Sequence, residues 1–297
     1  MVCALIGYGY WGKIIEKYIM KSNLILKYIF CRKISNNEKM VSDLEIIMKD
    51  QAVDIVFVCT PIDTHYEICK TALLSGKHVF CEKPTTKRMY ELEELIEIAN
   101  RMKKILYSDY IYTVSPSVKY MKENIHCIGR VRFIQGCIEQ FGNFYPNDNV
   151  YEVIGVHFMS AITFIMDLHS KNTCYKHFFK TKNPLSGIVE YSLMDGCNVV
   201  IFCSLVSSEK IRRLCFFGDK GILEFNMNTK PNIRIKKYDI CNHTLCVNEE
   251  IHKNFDEKNG LKYAISKFVD VIEKKDNTEN MNIAQEVMRI LDQNETV

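Results

Sequence analysis

Directly behind a short apolar stretch, Val2 to Ile6, stands Gly7-Tyr8-Gly9-Tyr10-Trp11-Gly12, a G-x-G-x-x-G run. Glycines at this spacing, between a strand and a helix, suit the binding of a diphosphate. Gly7 permits a tight turn, Gly9 leaves the backbone bare for the phosphates, and Gly12 lets helix and sheet pack closely. The free amides and positive dipole end of the following helix complete an anion site, with Tyr8, Tyr10 and Trp11 carried in the same turn. The second strand ends in Phe30-Cys31-Arg32-Lys33. A carboxylate there would hold a ribose 2′-hydroxyl. Arg32 and Lys33, with Ser35 close by, instead suit a 2′-phosphate. The expectation is NADP(H) in preference to NAD(H), with NAD(H) as the alternative.

A second group is Cys81-Glu82-Lys83-Pro84. A lysine at the carboxyl end of a parallel strand faces the crevice where such sheets bind ligands, and the following proline holds it extended. Its ammonium can donate to a substrate hydroxyl or carbonyl oxygen and stabilise a developing alkoxide. His157 is a lone histidine in an otherwise apolar helix. By position alone it reads as a core residue; by chemistry, an imidazole can both give and take a proton near neutrality.

The elements that must position these groups follow from periodicity. Up to about residue 112, strand-like runs (2–6, 24–30, 53–58, 78–81, 105–108) alternate with helical spacing (11–20, 65–74, 87–102). That alternation implies βαβ units and a parallel sheet covered on both faces. After Tyr112 come a helix at 117–124, a strand at 130–139, an apolar helix at 153–166, and strands at 187–193, 198–205, 211–217, 221–225 and 232–238. Helices at 261–274 and 281–292 close the chain. Strands without intervening helices imply an antiparallel sheet. The expected fold is an α/β Rossmann domain over 1–112 and an α+β domain with a mostly antiparallel sheet over 113–297, the second shaping the substrate pocket and self-association.

Composition narrows the class. The chain has 297 residues, 47% hydrophobic and 25% charged, with net charge +3, too small and too evenly spread for a nucleic-acid surface. There is no secretory signal and no apolar run of bilayer length, so a cytoplasmic protein without membrane contact is expected. The thirteen cysteines show no C-x-x-C pair and many lie in apolar runs, so they read as reduced, buried thiols, not as a metal site. The sequons at Asn242 and Asn294 then carry no glycan. An apolar sheet face calls for a second copy, giving a dimer or tetramer.

Taken in order, GYGYWG, Cys59-Thr60-Pro61 followed by His65, and Glu82-Lys83-Pro84 resemble the Gfo/Idh/MocA family of NAD(P)-dependent oxidoreductases, nearest to its short nucleotide-sugar dehydrogenases. The resemblance extends through Tyr112-x-x-Ser115-Pro116 and residues 144–164. It implies that Cys59, Thr60, Pro61, His65 and Glu82 belong to the cofactor side, that Lys83 contacts the substrate oxygen near the nicotinamide, and that His157 handles the proton. Where the family has an aspartate one turn before the histidine and an acid after it, this chain has Val153 and Phe158; Glu152 points about 100° away on an α-helix. The implied activity is hydride transfer between nicotinamide and a sugar or nucleotide-sugar hydroxyl or carbonyl. The alternatives are a reductase of an imine or other conjugated substrate, with Lys83 or one of Tyr110, Tyr112, Tyr145 and Tyr151 as acid, and an inactive nucleotide-binding homologue. The pocket is expected around residues 140–151.

Overall fold

The structure is a computed structural model that describes residues 1–32, 37–142, 147–241 and 243–293. Lys33, Ser35, Tyr145 and the sequon residues Asn242 and Asn294 lie outside the described residues. Contacts divide the chain into two compact units, Met1–Ile111 with Leu261–Met288, and Tyr112–Gly260 with Arg289–Val297.

The first unit is built on six parallel strands: β1 (Val2–Ile6), β2 (Ile25–Phe30), β3 (Met40–Val41), β4 (Ile55–Val58), β5 (His78–Cys81) and β6 (Leu106–Ser108). Their order is β3-β2-β1-β4-β5-β6, which places the topological switch between β1 and β4. The helices are α1 (Tyr10–Ile19), α2 (Leu44–Lys49), α3 (His65–Leu74) and α4 (Met89–Met102). β4 is buried at all four residues, IVFV, as a strand covered on both faces must be. On α4 the buried stripe is Leu92, Leu95, Ile98 and Ala99, while Ile96 is only half-buried. The short β3 and α2 escape a periodicity reading, because two and six residues carry too few alternations to register.

One boundary differs from the sequence reading, which assigned all of 113–297 to the second domain. α7 (Gly260–Lys274) and most of α8 (Thr278–Asp292) are grouped with the first unit. Phe268 of α7 supplies the reason: its ring lies 6.1 Å from Phe57, 5.5 Å from Phe80 and 5.5 Å from Tyr107. An amphipathic helix shows its apolar stripe in sequence but not the sheet that stripe will cover.

The second unit carries an eight-stranded sheet of β7 (Val131–Phe141), β8 (Ser170–Lys180), β9 (Pro184–Leu193), β10 (Asn198–Ser204), β11 (Val206–Gly218), β12 (Gly221–Asn226), β13 (Ile233–Cys241) and β14 (Thr244–Lys253). The order is β14-β13-β12-β11-β7-β10-β9-β8. All neighbours run antiparallel except β7 and β10. Strands β8 and β14 had no apolar alternation to announce them; both are edge strands, and β14 is largely exposed. α5 (Pro116–Asn124) and α6 (Val156–Met166) complete the unit. α6 packs tightly on the sheet: a Cβ on Gly136 of β7 would come within 3.0 Å of Phe158. Before α6 the chain makes one wide π turn, Tyr151–Gly155, where a continuous α-helix was expected. Among the described residues, no helix is long and apolar enough to cross a membrane.

Candidate active site

Backbone packing decides the shape of the first turn. Gly7 has φ +97°, and a Cβ there would press on the Cys59 carbonyl and the Thr60 methyl. A Cβ on Gly12 would overlap the Gly7 carbonyl oxygen, whereas a Cβ on Gly9 would meet nothing within 4 Å. The space over Gly9 is therefore open. Gly9 is also the N-cap of α1, with no side-chain cap and no acidic residue in the first turn. The orphan amides and the dipole of this helix thus face that space without a side-chain cap among the described residues. These residues fit a diphosphate: Gly7, Gly9 and Gly12 shape the cradle and the α1 amides would hold it. Tyr10 is 77% exposed at the helix start, and Tyr8 donates to Glu16 (2.6 Å) with Lys13 5.8 Å from its ring centroid. The Trp11 Nε1–H is buried, with no hydrogen-bond partner among the described residues. At the end of β2, Arg32 is exposed.

Cys59 and His65 hold this turn from below. The Cys59 thiol donates to the Gly7 carbonyl (3.0 Å), and burial pushes it well above the ordinary thiol range, so it stays a neutral donor. His65, 1% exposed, has Nδ1 3.0 Å from the Pro84 carbonyl and Nε2 2.8 Å from the Thr60 carbonyl. A neutral imidazole donates through one nitrogen only; both carbonyls are served at once only by the imidazolium. His65 therefore ties the Thr60-Pro61 turn to the Glu82-Lys83-Pro84 corner, a clamping role that the motif did not reveal. Thr60 accepts from the Thr64 hydroxyl (2.7 Å).

The corner after β5 holds two residues side by side. Cys81 pairs with Ser108 across β5 and β6, and the Asp109 amide donates to the Cys81 carbonyl (2.8 Å). The next residues, Glu82 and Asp109, meet through their carboxyl groups. Asp109 is 1% exposed. Glu82 is half-buried as a residue, but its Oε1 is sealed from solvent. Burial raises both carboxyls, Asp109 further because it also faces Glu82, while the Lys83 charge pulls both down. Asn280 of α8 fixes the end of β6, accepting from the Ser108 amide (2.9 Å) and donating to its carbonyl (3.0 Å). Asp109 and Asn280 escaped the sequence reading. An acid just past the last strand was the available signal for Asp109; Asn280, 172 residues from its partner, had none.

In the second unit, His157 is the second residue of α6, with Nδ1 buried. Its ring lies 5.3 Å from that of Tyr112. The Arg212 guanidinium hydrogen-bonds Tyr112 and donates to the Glu139 carbonyl (2.5 Å), the Ile211 carbonyl (2.7 Å) and the Gln140 side chain. Burial pushes the Tyr112 hydroxyl up to about 12, and Arg212 opposes that rise. Glu152 takes part in the turn that precedes α6. Its carboxylate turns back to accept from the Asn149 amide (2.8 Å), while Asn149 Oδ1 accepts from the Tyr151 and Glu152 amides. It caps its own turn. The tyrosines differ in their surroundings: the Tyr151 hydroxyl is surrounded by the Lys176 and Ile188 carbonyls and His177, Tyr110 is buried in the first unit, and Tyr112 sits beside His157.

The first unit is thus a doubly wound nucleotide-binding domain with a glycine cradle at its switch point and a lysine at a neighbouring strand end. Residues 1–110 match the NAD-binding Rossmann-fold model of the Gfo/Idh/MocA oxidoreductase family. Over 104 residues, the chain is 32% identical to scyllo-inositol 2-dehydrogenase (NADP(+)) IolU of Bacillus subtilis, covering 35% of this chain and 32% of that protein. Over 88 residues, it is 31% identical to myo-inositol 2-dehydrogenase of Thermotoga maritima, covering 30% and 26%. The chain thus spans a third or less of these curated relatives. In structure, UDP-N-acetylglucosamine 3-dehydrogenase GnnA of Acidithiobacillus ferrooxidans matches with TM-score 0.85 at 18% identity, over 99% of this chain and 96% of that one. KijD10, a 3-ketoreductase of Actinomadura kijaniata in complex with NADP, matches with TM-score 0.82 at 17% identity, over 100% and 97%. At such identity these two establish the fold of the whole chain.

Proposed function

We propose that the chain is an NADP(H)-preferring oxidoreductase acting on a hydroxyl or carbonyl carbon of a sugar or nucleotide-linked sugar. The observation that carries this reading is the bare, uncapped N-terminus of α1 over Gly9, in the same unit as a lysine at the carboxyl end of β5. The nicotinamide cofactor, when bound, supplies or accepts the hydride. Gly7, Gly9, Gly12 and the α1 amides hold its diphosphate, and exposed Arg32, with Lys33 beside it in sequence, meets a 2′-phosphate. Lys83 donates to the substrate oxygen and offsets the charge that develops there. His157 exchanges the proton, and its neighbour Tyr112 orients the ring in place of the absent aspartate. The activities of IolU, GnnA and KijD10, an inositol dehydrogenase, a nucleotide-sugar dehydrogenase and a 3-ketoreductase, support the substrate class.

The protein works in the cytoplasm, in keeping with the twelve free cysteines among the described residues, and as a dimer or tetramer. The sheet face opposite α6 supports self-association: Phe178 is 59% exposed and lies 6.2 Å from Phe202 there.

The test follows nicotinamide absorbance with NADPH and NADH over a panel of ketosugars, inositols, nucleotide sugars and cyclic imines. Oxidation of NADPH by a sugar, with weaker binding of NADH, is the expected result. Lys83→Ala should lose turnover and keep its nucleotide affinity. Activity on imines alone would move the substrate class, and undiminished turnover in Lys83→Ala would remove Lys83 from the reaction.

A further inference from the structure

Two carboxyl groups meet at adjacent strand ends, Glu82 after β5 and Asp109 after β6, in a region closed to water. Asp109 Oδ1 and Oδ2 and Glu82 Oε1 are all buried and have no N–H or hydroxyl partner among the described residues, although the Glu82 carboxyl as a whole also faces the Lys83 backbone amide. Ionised, these oxygens would be unsatisfied acceptors in contact with one another, which combines the desolvation penalty of a buried charge with like-charge repulsion. One proton placed between them removes both costs, because the protonated oxygen donates to its neighbour and the pair keeps a single negative charge. A single charge is also what one lysine balances.

We propose that Glu82 and Asp109 hold one proton between them, and that Asp109 is a positioning residue that returns a proton to Lys83 during turnover. The surroundings favour this arrangement from every side. The thiols of Cys59 and Cys81 border Glu82 and are themselves kept neutral by burial. Tyr107 faces Asp109 from the same strand, with Glu279 of α8 beyond it, and burial keeps that phenol neutral. Lys83 is the cation whose charge reaches both carboxyls.

The proton balance closes. In reduction, hydride enters the carbonyl carbon, an N–H bond of the Lys83 ammonium breaks, and an O–H bond forms on the substrate oxygen. Asp109 then gives its proton to the neutral Lys83 amine. The pair, left with two charges, recovers a proton from solvent. Oxidation runs the same steps backwards. The proton-return role rests on the reading of Lys83 given above; the shared proton does not.

The shared proton is tested on the cofactor-free full chain by infrared spectroscopy through the neutral pH range. The wild-type protein should show a protonated-carboxyl stretch near neutral pH that titrates away as one group. Asp109→Asn should lose this band, and Glu82→Gln should displace it. Superimposable wild-type and Asp109→Asn spectra would overturn the proposal. Should Asp109→Asn fail to fold, an unshifted band in Glu82→Gln would overturn it equally. With a substrate from the panel, Asp109→Asn should also lose the alkaline limb of the kcat profile while binding NADPH as the wild type does; an unchanged profile would remove the proton-return role. A chain that shows the band and oxidises no nicotinamide would retain the acid pair and end the dehydrogenase reading, so the two failures are distinct.

Discussion

At the scale of single residues, the site is governed by groups placed where their ordinary ionisation is unfavourable. Asp109 is the clearest. Its carboxyl is raised by burial and by Glu82, so the folded chain binds a proton that the unfolded chain releases at lower pH. Stability contributed in this way is present in acid and falls as pH rises through the folded-state ionisation. Asp109→Asn removes the group and should flatten that decline. Urea unfolding at mildly acidic and mildly alkaline pH should show the variant gaining on the wild type as pH rises, by about 1.4 kcal/mol for each tenfold displacement of the acid's ionisation. Parallel pH profiles would count against a raised carboxyl. His65 belongs to the same scale: a buried ring held between the Thr60 and Pro84 carbonyls ties two turns together.

At the scale of elements, two devices position the chemistry. One is the pairing of β5 with β6, which brings the residues just past Cys81 and Ser108 together. The other is α7, whose Phe268 closes the aromatic cluster of Phe57, Phe80 and Tyr107 beneath those strand ends. Truncating a fully buried phenylalanine leaves a cavity that its neighbours fill only in part. Phe268→Ala should therefore cost about 3–5 kcal/mol, read as a lowered denaturation midpoint. A loss below about 1 kcal/mol, within the range of ordinary surface substitutions, would mean that α7 is not part of the first unit's core. The π turn before α6 is a third device. It turns Glu152 back on Asn149 and sets His157 beside Tyr112.

At the scale of the molecule, the eight-stranded sheet has one face under α6 and an opposite face that presents Phe178 and Phe202. Aromatic area of this kind is seldom left wet. Sedimentation should find a dimer or tetramer, and Phe178→Glu should shift it toward monomer without loss of fold. A monomeric wild-type chain at micromolar concentration would remove the self-association reading.

The N-terminal alternation, the glycine cradle and the Glu82-Lys83-Pro84 corner were legible in the chain itself. Strands and helices there are set by local hydrophobic period, and glycine positions by local backbone geometry. The buried-strand pattern of 53–58 and the apolar helix ending at Met166 emerged for the same reason. What the linear order concealed were relations between distant residues: Asp109 against Glu82, Asn280 holding Ser108, His65 bridging two turns, and α7 returning to the first sheet. Each depends on which surfaces meet when the apolar area is buried. That choice is collective, since the free energy of covering a sheet is shared by every side chain on it. Periodicity reports that a helix has a buried face; only the folded chain decides what buries it.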